Sequence, residues 1–253
     1  MTPPVFVCPT ATLAGAVLGG AAIVLDGPEG RHAATVRRLR AGERVDLVDG
    51  VGLRGEATVV AVGRDSLDVR VDHRRLEPAP APRLVVVQAL VKGDRTELAV
   101  ELLTEAGVDE IVPWAAQRCV VRWEAERADK GVQRLRATAH EAAKQARRAR
   151  FPHIAPLATT AEVQRRIAGA DASFVLHESA TTDLAGSTLP STGDVVLVVG
   201  PEGGIGDAEL AELAATPARL GPEVLRASTA GVVAVAAIAP RLGRWAAGTS
   251  EPR

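Results

Sequence analysis

Val195-Val196-Leu197-Val198-Val199-Gly200-Pro201-Glu202-Gly203-Gly204-Ile205-Gly206-Asp207 reads as a buried strand running into a glycine-rich loop. An unbroken apolar run dominated by valine fits a strand covered on both faces, as in parallel sheets. Ligands of open α/β sheets bind beyond the carboxyl ends of strands, where glycine lets backbone approach closely. Asp207 is placed to cap the helix that follows. No Gly-Lys-Ser/Thr is present to hold phosphate and magnesium, so the loop is not a P-loop. A plain strand-to-helix turn is the alternative reading of this stretch alone.

Its surroundings alternate between strands and helices, the pattern of an α/β domain with a mainly parallel sheet. Leu84 to Leu90 reads as a buried strand, Asp94 to Ala106 as a helix closed by Gly107, and Glu110 to Val112 as a short strand. Arg127 to Arg148 is a strongly amphipathic helix, with Val132, Leu135, Ala139, Ala142, Ala143 and Ala146 on one stripe. A further strand is expected at Ala172 to His177. Downstream, Leu220-Gly221-Pro222-Glu223-Val224-Leu225-Arg226 forms a loop carrying one arginine, which either serves a site or pairs with a carboxylate. The nearly all-apolar run from Ala230 to Ala239 predicts a helix buried in the protein or against a partner, capped by Ser228 or Thr229.

On the amino-terminal side, Arg74 to Pro82 alternates proline and alanine, which favours extended backbone and marks a domain boundary. Before it, Arg44–Asp49, Glu56–Val62 and Ser66–Asp72 alternate with period two, so residues 1–75 read as a small β barrel and 76–253 as the α/β domain. Gly50-Val51-Gly52-Leu53-Arg54-Gly55 satisfies a dinucleotide fingerprint but opens a strand instead of a helix, so it is read as a hairpin turn. Gly27-Pro28-Glu29-Gly30 is read as a turn as well.

Composition narrows the function classes. With 47% hydrophobic and 24% charged residues the chain is globular, and with 2% aromatic residues it has no basis for recognition by stacking platforms. Cys8 and Cys119 stand far apart in the chain, and the five histidines show no metal spacing, so neither a disulfide framework nor a metal site is expected. GxSxG and HExxH are absent. No basic region precedes the apolar amino-terminal stretch, and Ala227 to Pro240 is too short to span a bilayer; a cytoplasmic protein with no membrane partner is expected. The net charge of −1 hides a pattern: residues 1–75 carry +1, 76–117 carry −4, 118–150 carry +6 and 151–253 carry −4. Arg31 to Arg44 adds five arginines against one glutamate. Such basic blocks attract polyanions whatever the total charge.

Several segments taken in order resemble the RsmE-type ribosomal RNA methyltransferases of the SPOUT class. They are His32-Ala33-Ala34-Thr35-Val36-Arg37-Arg38-Leu39-Arg40, Gln88-Ala89-Leu90-Val91-Lys92, Glu105-Ala106-Gly107-Val108, Arg118-Cys119, Glu141-Ala142-Ala143-Lys144-Gln145, Leu176-His177-Glu178, Gly200 to Gly204, and Leu220-Gly221 through Leu225-Arg226. The resemblance implies a trefoil-knotted α/β methyltransferase domain with a mainly parallel sheet and a PUA-like RNA-binding β barrel, in a homodimer. It implies methylation of N3 of a specific uridine in 16S ribosomal RNA of the small subunit, with S-adenosylmethionine as methyl donor and no DNA partner or metal. Cofactor binding carries over to Leu176, Glu178, Val199, Gly200, Pro201, Gly203, Gly204, Leu220, Gly221, Leu225 and Arg226. Arg226 is the expected stabiliser of charge on the base, and Glu178 and Glu202 are the available proton acceptors. His32, Arg37, Arg38, Arg40, Lys92, Arg118, Arg147 and Arg148 are expected on RNA. The family often has an acidic residue where Ser228 stands, so a carboxylate base is unavailable there. Methylation of a ribose 2′-oxygen and a non-catalytic RNA-binding assembly factor are the competing functions.

Overall fold

The structure, a computed structural model, describes residues 2–245. Among the described residues the chain forms two units: residues 2–79 with 143–151, and residues 80–142 with 152–245. The boundary lies a few residues beyond the one expected, because the strand preceding the Pro/Ala run continues through Leu76. The larger departure is the segment 143–151, which the linear reading gave to the second domain.

The first unit contains β1 (Val5–Val7), α1 (Thr10–Gly15), β2 (Ile23–Leu25), α2 (Gly27–Arg31), β3 (Arg44–Val48), β4 (Leu53–Val62) and β5 (Leu67–Leu76). Its sheet has the order β1-β3-β4-β5-β2, parallel only between β1 and β3. Alternate residues of all five strands, among them Phe6, Leu25, Leu47, Val59 and Val69, enter a single core that Leu13 of α1 completes. The Gly50–Gly55 stretch makes the β3–β4 hairpin expected of it, with Gly50 and Gly52 at positive φ. Gly27-Pro28-Glu29-Gly30, expected as a turn, instead opens α2, with proline preorganising its first turn. A π-helical turn, His32–Val36, follows directly, and Arg38 beyond it has φ 53°. Arg54 is the polar centre of this unit. Nearly buried, it pairs with Asp46 at 3.2 Å and Glu77 at 2.7 Å and donates to the Arg147 carbonyl at 2.6 Å.

The second unit contains β6 (Arg83–Ala89), α3 (Arg95–Glu105), β7 (Glu110–Trp114), α4 (Ala125–Gln145, whose end lies in the first unit), β8 (His153–Ile154), α5 (Thr160–Ala168), β9 (Ala172–Leu176), β10 (Thr182–Asp183), β11 (Asp194–Val199), α6 (Asp207–Leu213), β12 (Thr216–Arg219) and α7 (Ala227–Ile238). The sheet order is β10-β12-β9-β11-β6-β7-β8, every pair parallel. Both faces are covered. Leu84, Val86, Val195, Leu197 and Val199 pack with α3, α4 and α7 on one side, and Val85, Val87, Val196 and Val198 with α5 and α6 on the other. This explains why β6 and β11 read as unbroken apolar runs.

Local details differ from expectation at helix ends. Helix α4 stops at Gln145, so Ala146 is exposed and off the stripe, and Arg147 turns away with φ 55°. The cap of α6 is Gly206, with Asp207 as its first residue, and α7 is capped by Arg226 while the Thr229 hydroxyl donates back to the Arg226 carbonyl. Helix α5 went unread, although Thr159-Thr160-Ala161-Glu162 is a capping-box signature: Thr159 Oγ1 accepts from the Glu162 N–H and the Glu162 carboxylate accepts from the Thr159 N–H at 2.8 Å. The Thr159 backbone and hydroxyl donors hold the Glu162 carboxyl below its ordinary range. Thr159→Ala is expected to lower stability by about 1 kcal/mol in urea unfolding.

Candidate active site

The parallel arrangement brings the carboxyl ends of β9, β11 and β12 to one edge, and the loops leaving them surround a cleft of about 510 Å³. Its walls include Leu176 and Glu178 after β9, Val199 through Gly204 after β11, and Leu220, Gly221, Leu225 and Arg226 after β12. Every residue expected at a cofactor site therefore lies on one cavity, although the glycine-bearing segments are about twenty residues apart in the chain. The loop after β11 is shaped by steric demand. A side chain at Gly203 would meet the Arg118 carbonyl oxygen at 3.0 Å, and Gly204 adopts φ 70°, which disfavours side chains.

Charge around the cleft is mixed. Arg95, Arg118, Arg219 and Arg226 line it together with Glu178, Glu202 and Glu223. Arg226 is exposed and forms no ion pair among the described residues, so the structural pairing weighed for it does not occur. Glu202 accepts from the Lys92 N–H at 3.4 Å and lies 3.8 Å from Arg95. Glu178 is exposed and forms no ion pair among the described residues. Buried Ser228 also lines the cleft. Arg95, Arg219 and Glu223 are cleft residues beyond the expected set, and His177, which the sequence offers as a pocket residue at a strand end, lines the cleft as well. No periodicity marks the first three, because a helix start (Arg95), a strand end (Arg219) and a loop (Glu223) are brought to the cleft by packing.

The basic residues expected on RNA divide between the units. His32, Arg37, Arg38, Arg40, Arg147 and Arg148 belong to the first, Lys92 and Arg118 to the second. Arg37, Arg38 and Arg40 are exposed along the segment after the π-helical turn. His32 lines a shallow surface pocket there with Arg31, Thr35 and Asp65, its ring centroid 6.2 Å from that of Phe6. Arg147 donates to the Thr2 carbonyl at 3.4 Å. Both cysteines are buried. Burial, with Asp49 adding to it, pushes the Cys8 thiol up to about 11, and burial likewise raises that of Cys119, so neither is a ready nucleophile.

A glycine-lined cleft beyond the strand ends of a parallel α/β unit is where ligands of that fold class bind, and similarity to known proteins says that the class here is RNA methyltransferase. A family model described as an RNA methyltransferase domain matches residues 77–239, and one described as an RNA methyltransferase PUA domain matches residues 25–72. Over 92% of its length the chain is 48% identical to the ribosomal RNA small subunit methyltransferase E of Mycobacterium bovis, of which it covers 91%. The Bacillus subtilis protein of the same name is 28% identical, over 85% of this chain and 88% of that one. Among solved structures, a Legionella pneumophila protein described as a methyltransferase in complex with the cofactor SAM superposes with a TM-score of 0.81 at 26% identity, covering 95% of this chain and 98% of that one. The chain belongs to the ribosomal RNA small subunit methyltransferase E family.

Proposed function

We propose that this protein transfers the methyl group of S-adenosylmethionine to N3 of a specific uridine in 16S ribosomal RNA of the small subunit, acting as a homodimer with the knotted chain path its family resemblance implies. The observation that carries the reading is the meeting of the 200–204 and 220–226 segments on one cleft with an unpaired Arg226 at its rim. The glycine-rich backbone fits a nucleoside-sized ligand, and the cleft volume of about 510 Å³ is within the range of small-molecule sites.

The chemistry asks three things of the protein. The N3 proton of the uracil must leave, the charge that appears on O2 and O4 must be stabilised, and the methyl carbon must lie in line between sulfur and N3. S-adenosylmethionine supplies an electrophilic methyl; as the N3–C bond forms, the S–C bond breaks and its electrons return to sulfur. Arg226 supports the anionic base, since a guanidinium stays charged and offers several donors. Glu178 and Glu202 are the carboxylates proposed to take the proton; both line the cleft, as does Glu223, and Glu178 has no ion-pair partner among the described residues. Leu176, Val199 and Leu220 give the cleft apolar walls, and the fixed loops align the reactants. The base must be unstacked to enter. A partner subunit is supported by α7, which has no polar face and leaves Val233 39% exposed.

Incubation with S-adenosylmethionine and unmethylated small subunits, followed by mass spectrometry of the nucleosides and of nuclease fragments of the RNA, is expected to show 3-methyluridine at a single position. Ribose methylation or no product would overturn the assignment. For the RNA surface, neutralising Arg37 and Arg38 together is expected to reduce the slope of log affinity against log salt by roughly 1.4–1.8, the release of two phosphate contacts. An unchanged slope in a filter-binding series removes both from the interface.

A further inference from the structure

Glu209 is a charged side chain with no exposed surface, on α6 just beyond the glycine-rich loop. One carboxylate oxygen, Oε1, accepts from the Gln117 N–H at 3.0 Å and from the Thr160 hydroxyl at 2.9 Å, and Thr160 in turn accepts from Trp114 Nε1 at 3.2 Å. The other oxygen, Oε2, is buried and has no hydrogen-bond partner among the described residues. Burying a carboxylate with one oxygen unserved is unfavourable, and leucine in its place would avoid that cost. What leucine lacks is an acceptor for the Gln117 N–H.

The residue after Gln117 shows what that hydrogen bond holds. Arg118 lies directly on the glycine-rich loop: its carbonyl oxygen and Cβ stand 3.0 and 3.2 Å from where a Gly203 side chain would begin, and its Nη2 3.1 Å from the same point at Gly206. Its Nη1 donates to the Gly203 carbonyl at 3.4 Å, and the side chain lines the cleft. Cys119 then turns back to the Ala116 carbonyl and is buried. Residues 115–119 thus form a strap across the loop, tied at Gln117 to the helix that the same loop enters.

We propose that Glu209 is a positioning residue: its carboxylate clamps the 115–119 strap onto the 200–206 loop and so sets the Arg118 wall of the cofactor cleft. The proposal rests on the S-adenosylmethionine reading of that cleft and deepens it by naming what fixes the shape of the site. Removing the acceptor leaves the Gln117 N–H without its partner, and that cost is enough to hold the strap in one position.

Two measurements on Glu209→Ala, Glu209→Gln, Arg118→Ala and the Glu209→Ala/Arg118→Ala pair test it. Calorimetric titration with S-adenosylmethionine is expected to show about tenfold weaker binding for Glu209→Ala, the loss of one hydrogen bond that holds the cleft wall. Glu209→Gln, which keeps the Oε1 acceptor, is expected to bind within about twofold of wild type, and the double variant no more weakly than the weaker single one. Amide exchange at Gln117 is expected to be slow in wild type and in Glu209→Gln and at least tenfold faster in Glu209→Ala, with or without cofactor. Unchanged Gln117 exchange in folded Glu209→Ala overturns the proposal, as do independent effects of the two single variants. Wild type that takes up no cofactor overturns the cofactor reading instead, while Gln117 exchange still decides the clamp. Should Glu209→Ala fail to fold, Glu209→Asp, which withdraws the carboxylate by one methylene, is expected to give the same loss of protection, and retained protection counts against the clamp.

Discussion

Arg226→Ala is expected to lower the turnover of methyl transfer by about 10²–10³-fold, the usual effect of removing one donor that meets charge developing in the transition state. The substitution is a clean one. Arg226 caps α7 through its backbone alone, its side chain is exposed, and it has no ion pair among the described residues, so the fold loses no ion pair or capping hydrogen bond with the guanidinium. Circular dichroism is therefore expected to stay close to wild type while labelled-methyl incorporation into small subunits collapses, and calorimetric titration with S-adenosylmethionine separates the part of the loss that belongs to the cofactor contact expected of Arg226. Arg226→Lys keeps the charge without the planar fork and is expected to recover only part of the rate. Near wild-type turnover in folded Arg226→Ala would remove the residue from the chemistry.

The largest expected effect on stability belongs to Arg54→Ala, at about 3–5 kcal/mol, because one buried guanidinium serves three acceptors and its loss leaves the Asp46 carboxylate and the Arg147 carbonyl without a donor and Glu77 with Arg75 alone, at 3.4 Å. Those acceptors come from β3, from the residue just beyond β5 and from the segment after α4, so the substitution loosens the first unit at three places. Tryptophan fluorescence is blind to this, since Trp114, Trp123 and Trp245 all belong to the second unit. Amide exchange along β3, β4 and β5 is the suitable measurement, and a change under 1 kcal/mol there would show that solvent replaces the guanidinium at little cost.

Much of this was legible from local pattern. Unbroken valine runs belong to strands covered on both faces, and β6 and β11 are so covered. Period-two alternation gave the hairpins of the first unit, and the Gly50–Gly55 stretch was separable from a nucleotide-binding fingerprint because a strand follows it. The cofactor-site residues were named from family resemblance, and the β9, β11 and β12 ends then brought them onto one cavity. What escaped was of two kinds. Short edge strands such as β8 and β10 have only two residues each, too few to show a period. Helix α5 had a signal, its capping box, that went unread.

Sequence by itself determined the element types, the parallel character of the second unit, the family and the basic segments, because alternation, capping and charge are properties of neighbouring residues. Tertiary structure alone decided that residues 143–151 join the first unit, that Arg54 is buried under the Arg147 carbonyl, and that Arg118 rests on Gly203, 85 positions away. It also decided that Glu209, which in the sequence is one more acidic residue of an ordinary helix, is fully buried. Such contacts depend on how packed layers bring distant backbone together, and no local period encodes that distance.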